Sequence, residues 1–180
     1  MAAPDAVSLD EQFYIVAEAE RSSAPTRVMK HGDSFGVFDQ YGDIIAEESA
    51  EQGFYHNGTR FLSRLELRIG DRRPLFLSST ISEDNVIFTA DLTNPDILQG
   101  SRVVVPRGEI HIFRSRVLWT GGFSECIRVT NYGLQTTSIP LVVRCDADYV
   151  DVFEVRGTKR AKRGERLPSA TGNASVFAYR

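Results

Sequence analysis

The sequence predicts an all-β chain, an antiparallel β-sandwich with short loops and little helix. Three observations carry that prediction. Apolar and polar residues alternate with a period of two in several separate runs. Turn signals recur about every 8 to 12 residues. No stretch carries a long apolar stripe at helical spacing. Two sheets made from such runs would each turn an apolar face to a shared core about 10 Å thick.

Taken in order, residues 1–10 read as a flexible tail and residues 11–180 as the sandwich domain. Residues 13–17 are apolar and form the first expected strand, and the polar stretch 18–30 reads as a connecting loop. Residues 34–39 and 43–46 flank the turn signal Gln40-Tyr41-Gly42 and read together as a hairpin. The central stretch, EQGFYHNGTRFLSRLELRI at 51–69, passes from Phe54-Tyr55 through a polar turn into the strongest strand pattern of the chain. There Phe61, Ser63, Leu65, Leu67 and Ile69 share one face and Leu62, Arg64, Glu66 and Arg68 the other, so one dry and one wet face are expected.

After Gly70-Asp71, residues 74–79 return as a strand with Pro74 at its start, since proline cannot donate to a ladder. Residues 85–92 alternate again, with Val86, Phe88, Ala90 and Leu92 on one side. A short β-branched run at 103–105 ends at Pro106-Arg107-Gly108. The stretch 109–120 sets Ile110 and Ile112 against Phe113, Val117 and Trp119, and 123–130 places Phe123, Glu125, Ile127 and Val129 together. Asn131-Tyr132-Gly133 then turns the chain into 135–146, where Thr137, Ile139, Leu141, Val143 and Cys145 share a face. Residues 148–155 are acidic and apolar together, 156–166 form a basic loop, and 174–179 begin a last strand.

The totals bound the function. A chain of 180 residues buries roughly 70% of the surface it exposes unfolded, enough for a core without staples. A net charge of −3 argues for neither a nucleic acid nor a membrane partner. No apolar run approaches the ~20 residues of a spanning helix, and the opening MAAPDAVSLDEQ is not a secretory signal; a cytoplasmic location is expected. If 123–130 and 135–146 form one hairpin, Cys126 and Cys145 lie about 20 Å apart. That exceeds the roughly 7 Å a disulfide spans, so two buried free thiols are expected.

Several groups are candidates for chemistry. Asp146, Asp148, Asp151 and Glu154 form the densest acidic cluster. Glycoside hydrolysis needs two carboxylates about 5 to 9.5 Å apart, and Asp146 and Asp148 on one strand face would stand about 7 Å apart. The favoured reading is ion pairing of these acids with Arg156, Arg160 or Arg163, and no catalytic residue is assigned. The acids lack the glycine-containing spacing of an EF-hand, and His31, His56 and His111 lack paired spacing, so no metal and no cofactor are expected. The basic run has no aromatic residues to stack on bases, which argues against nucleic acid. Tyr55, Trp119 and Tyr132 are candidates to lie against pyranose rings, with Arg60 donating to hydroxyls; the competing role for Trp119 and Tyr55 is core packing.

The segment GFYHNGTRFLSRLEL resembles the motif with which the N-terminal domain of bacterial glycogen debranching enzymes (amylo-α-1,6-glucosidases) enters its central strand. Phe54, Thr59, Arg60 and Phe61 match that motif, while Asn57-Gly58 stand where the family carries an acid before Thr-Arg. A second block, 148–157, resembles the family through Asp151, Phe153, Glu154, Arg156 and Gly157, and Gly36-Val37-Phe38-Asp39 with Gly42-Asp43-Ile44 resembles its opening hairpin. The resemblance implies a β-sandwich standing before a helical (α/α)-barrel that carries the hydrolytic carboxylates. That barrel is absent from this sequence, and 177–180 is strand-like to its end, so a continuation is expected. The chain would then be a non-catalytic accessory domain of a parent acting on α-1,6-glucosidic linkages. Its partners would be the C-terminal helical catalytic domain and an α-glucan, with oligomer formation also compatible. Its surface should carry an apolar patch of several hundred Å² for docking. The alternatives are a free-standing carbohydrate-binding module, which needs coplanar exposed aromatics, and a small enzyme using the 146–154 acids, which needs a carboxylate of raised pKa in a pocket.

Overall fold

The computed structural model describes residues 25–180 other than 48, 49 and 173. The expected tail at 1–10 and strand at 13–17 lie outside them. Strand makes up 52% and helix 3%, in antiparallel sheets that close no barrel, so the sandwich prediction holds.

One layer is a four-stranded sheet in the order β12-β11-β8-β7, built from β7 (Leu75–Ile81), β8 (Ile87–Thr93), β11 (Ile110–Trp119) and β12 (Gly122–Asn131). The other combines two sheets. β1 (Arg27–His31), β2 (Ser34–Phe38), β4 (Gly53–His56) and β5 (Thr59–Leu62) pair in chain order. β3 (Ile44–Ile45), β6 (Arg64–Ile69) and β13 (Leu141–Asp146) form the order β13-β6-β3. The ribbons β9 (Ile97–Gln99) with β10 (Arg102–Val105), and β14 (Ala170–Thr171) with β15 (Ser175–Val176), lie apart from these. The core joins both layers: Met29, Phe38, Ile44, Phe54, Leu65, Leu67 and Ile69 meet Phe88, Ala90, Leu92, Ile110, Ile112 and Leu118. These are the residues that the period of two places inward on β6, β8 and β11.

Several expectations change. Residues 27–30 of the expected loop, together with His31, form β1, which pairs with β2 across Gly32-Asp33; only Met29 of this strand is buried, so the run carries too little apolar signal to be read. The turn at 39–43 closes as a hairpin would, with Asp39 N–H donating to Asp43 O and Gly42 N–H to Asp39 O, both at 3.0 Å. Its arms then part, β2 to β1 and β4 and β3 to β6. The stretch 61–69 breaks at Ser63, so β5 and β6 belong to different sheets and Phe61 is exposed. The wet face of β6 is dry at Glu66, whose side chain is fully covered by Arg64 and Arg68.

The expected hairpin at 123–146 does not form: β12 pairs with β11 and β13 with β6. Cys126 and Cys145 are free, as expected, but exposed rather than buried. Only Ser175–Val176 of the last expected strand is extended in a ladder. The acidic stretch contains a single helical turn, α1 (Val152–Val155).

One side of the sandwich is left open. β12 and β13 are end strands of their sheets and are joined by residues 132–140. Register places Val129 opposite core residue Ile112, and Leu141 and Val143 opposite Ile69 and Leu67. Directly opposed residues share a sheet face, so all three side chains point to the core side. They are nevertheless 43%, 40% and 53% exposed, and Leu134 between the strands is 100% exposed.

Candidate functional site

The two sequence blocks singled out above fold onto one another. β4 and β5 are joined by Asn57 and Gly58 at φ 47° and 78°, the pair of left-handed residues that a two-residue type I′ turn requires. The second block docks on the free edge of β5. Arg60 N–H donates to Val150 O and Val152 N–H to Gly58 O, each at 2.8 Å, and Thr59 bridges Asp151.

Arg60 locks this junction. Its Nε and Nη2 donate to Oδ1 and Oδ2 of Asp148 at 3.0 and 2.6 Å, a bidentate pair. Its Nη1 donates to Ala50 O at 2.6 Å and Gln52 O at 3.0 Å, and approaches Tyr55 Oη at 3.4 Å. The stem of Arg60 crosses Gly53, where a Cβ would stand 2.3 Å from Arg60 Cδ. Burial alone would lower the pKa of Arg60, but the Asp148 carboxylate outweighs it and the net shift is upward. With these contacts the buried guanidinium is committed inside the protein and is not offered to sugar hydroxyls.

Tyr55 is likewise internal. It is 1% exposed, stacked on Phe35 at 4.6 Å, with its hydroxyl donating to Glu51 O at 3.0 Å. Burial first, offset in part by Arg60, raises its pKa. It is therefore core, not a sugar platform, and Phe54 packs in the core against Phe123.

The second block is shaped by caps. Asp151 accepts Phe153 N–H at 2.8 Å while Glu154 accepts Asp151 N–H at 3.1 Å, a capping box. Gly157, at φ 97°, takes the left-handed exit from the turn. Arg163 Nε donates to Glu154 at 2.9 Å, Arg160 approaches Asp151 and Glu154 at 3.8 Å, and Arg166 pairs with Asp146. Arg160 and Arg163 thus neutralise the acids as expected, whereas Arg156 is exposed and makes none of these pairs. Across the junction Phe61 meets Tyr149 edge-on at 5.8 Å, Tyr149 stacks on Tyr179 at 5.1 Å, and Phe153 is 61% exposed. Among the described residues, no group of three or more His, Cys, Asp or Glu converges as a metal site.

Sequence comparison covers both blocks and nearly all of the described chain: a profile of the N-terminal domain of some glycogen debranching enzymes matches residues 29–180. The chain belongs to that family. No curated protein matches it, and no solved structure does.

In this debranching-enzyme N-terminal domain the remaining two sugar candidates stand apart. Trp119 ends β11 and is 46% exposed; Tyr132, 72% exposed, follows β12 beside the start of β11, where its N–H donates to Glu109 O. A ten-residue strand separates them by roughly 30 Å, so they form no common platform.

The domain also holds an ionic cluster that the sequence reading overlooked. The turn 39–43 is inserted beneath β11, and three acids, Asp39, Asp43 and Glu125, meet three arginines, Arg73, Arg114 and Arg116. Arg114 donates to Asp43 at 2.5 Å, Glu125 at 2.7 Å and Tyr41 O at 3.0 Å. Arg73 spans Asp43 at 2.9 Å and Asp39, lying over the Tyr41 ring. Arg116 reaches Glu125 at 3.2 Å and Gly42 O at 2.8 Å, but its Nε and Nη1 find no partner. The signal was present: Arg114 and Arg116 keep the inward parity of Ile110, Ile112 and Leu118 on β11.

Burial raises the pKa of Asp39 despite Arg73. For Glu125, burial pushes upward but Arg116 and Arg114 prevail and lower it; for Glu66, burial is outweighed by hydrogen bonds from Arg68 and Arg64. A carboxyl lowered on folding contributes stability above its unfolded pKa, about 4.3 for Glu, and that contribution is lost as pH falls through the folded value. Asp39 has the opposite sign, because its protonation relieves the burial cost. The urea midpoint should therefore fall as pH drops below about 4.3, with Glu66→Gln flattening the slope. An unchanged slope in the variant would contradict this account.

Proposed function

We propose that this chain is a non-catalytic accessory domain of a cytoplasmic glycogen debranching enzyme, packed against a helical glycosidase domain that hydrolyses α-1,6 linkages. The observation that carries the reading is the open side at β12 and β13. Val129, Leu141 and Val143 point to the core side yet remain exposed, with Leu134 beside them. Leaving such residues in water forgoes about 25 cal/mol per Å², and core-facing apolar side chains left exposed on two end strands favour an interface there. The junction acids support the same reading: Asp146, Asp148, Asp151 and Glu154 are each engaged by an arginine.

The test uses a helical glycosidase domain from a debranching enzyme that carries this family of N-terminal domain, supplied in trans. The chain alone should release no glucose from a limit dextrin, and Leu141→Glu with Val143→Lys should leave its circular dichroism unchanged while weakening association by about tenfold or more. Glucose release by the chain alone, or undiminished association of the variant, would overturn the proposal.

A further inference from the structure

A depression at the end of the sandwich away from the open side has the makings of a ligand site. It holds about 600 Å³ and is lined by Lys30, His31 and Gly32 of the β1–β2 turn, Asp84, Asn85 and Val86 of the β7–β8 turn, and Leu118 and Trp119. That volume lies within the roughly 300 to 1,000 Å³ of small-molecule sites. Its walls are tied together by backbone bonds: Lys30 N–H donates to Asn85 O at 3.0 Å and Leu118 N–H to Val86 O at 2.9 Å. Gly32 at φ 55° and Asn85 at φ 59° hold their turns in the left-handed region. The depression is therefore formed before any ligand arrives.

The chemistry of its lining is selective. The indole of Trp119 rests on Gly122, where a Cβ would stand 3.1 to 3.3 Å from Nε1, Cε2 and Cζ2. One edge of the ring is thereby seated on backbone while the side chain remains half exposed. The other lining residues Lys30, His31, Asp84 and Asn85 carry hydrogen-bonding groups of both kinds. Oδ1 of Asp84 already accepts from Ser82 Oγ and Val86 N–H, at 2.5 and 3.3 Å, leaving Oδ2 as an acceptor. A simple anion would be opposed by Asp84, and an apolar ligand would strand four polar groups. A neutral ring with one C–H face and a rim of hydroxyls satisfies both the indole and the rim.

We infer that this depression binds a neutral hexopyranose unit, stacked on Trp119 with hydroxyls bonded to Asp84, Asn85 and His31. It adjoins the Gly122 end of β12, seven positions (roughly 23 Å) from the exposed Val129 of the proposed docking side, so the domain can hold a saccharide and its catalytic partner at once. The choice of an α-linked glucose unit rests on the debranching assignment; the site itself does not.

Trp119 is the sole tryptophan, so its emission reports on this site alone. Titration with maltotriose should change the emission saturably, with a Kd of about 1 mM, and cellobiose should tell the linkage. Binding of cellobiose but not maltotriose would retain the pyranose site and sink the α-glucan assignment. In calorimetry, Trp119→Ala should weaken binding by about tenfold and Asp84→Ala by a smaller factor, both with unchanged circular dichroism and unchanged association with the helical domain. No emission change with either sugar, undiminished binding by Trp119→Ala, or displacement of the sugar by millimolar inorganic phosphate would overturn the inference.

Discussion

Arg114→Ala is expected to destabilise the domain by about 3–5 kcal/mol, the cost of leaving buried charges unpaired. Arg114 and Asp43 are each 1% exposed, and Arg114 also neutralises Glu125 and satisfies the carbonyls of Tyr41 and Gly42. Deleting the guanidinium leaves the Asp43 and Glu125 carboxylates and the Tyr41 carbonyl without its donors. Domains of this size have about 5–15 kcal/mol in total, so the loss is a large share of the stability and the urea midpoint should fall steeply. Arg114→Lys should recover little, since an ammonium cannot reproduce the planar fork that reaches Asp43 and Glu125 together. Arg116→Met should cost clearly less than Arg114→Ala, because two of the Arg116 nitrogens have no partner to lose and its surroundings, Phe38, Phe88 and Phe123, suit an apolar chain. Urea unfolding followed by circular dichroism measures all three. A loss below about 1 kcal/mol for Arg114→Ala would mean that the cluster behaves like a surface pair.

The same cluster shows where sequence reading stops. Alternation identified β6, β8 and β11 and the inward Leu65, Leu67, Phe88, Ala90 and Leu92, because a period of two is local and survives any choice of partner strand; on β11 it separated Ile110 and Ile112 from Trp119 without saying which side is the core. Pairing is not local. The turn at 39–43 was legible from Gly42, but nothing in those residues says that β2 and β3 enter different sheets. That choice follows from burying Asp43 under Arg114, seventy-one positions away. Likewise Asn131-Gly133 signals a turn but not that β13 will cross to β6. The wet-face assignment of Glu66 failed because arginines pair with it from both sides, Arg64 and Arg68 on β6 itself and Arg144 opposite it on β13. At the junction, the blocks were recognisable as blocks, whereas the contact between Arg60 and Asp148, and hence the burial of Tyr55, depends on the fold that joins them.

Arg60→Ala is expected to cost about 2–4 kcal/mol, because it removes charge-assisted bonds from a buried site and leaves the carbonyls of Ala50 and Gln52 without their donor. The loss should also be local. The segment 148–157 is held to β5 by the two backbone bonds of a single antiparallel bridge, and none of the four residues of α1 is buried. Without the Arg60–Asp148 clamp this segment has little apolar burial of its own to keep it in place. Amide hydrogen exchange at 150–157 should therefore accelerate far more than at β8 or β11, and trypsin should cut the basic run 156–166 sooner. Gly53→Ala should reproduce the effect with Arg60 intact, since a methyl group 2.3 Å from Arg60 Cδ and 2.8 Å from Cγ forces the side chain off its path. Asp148→Asn should fall between wild type and Arg60→Ala, because the amide still accepts one of the two bonds. If Arg60→Ala raised exchange evenly across the core strands instead, Arg60 would be part of the global core rather than the clasp between the two blocks.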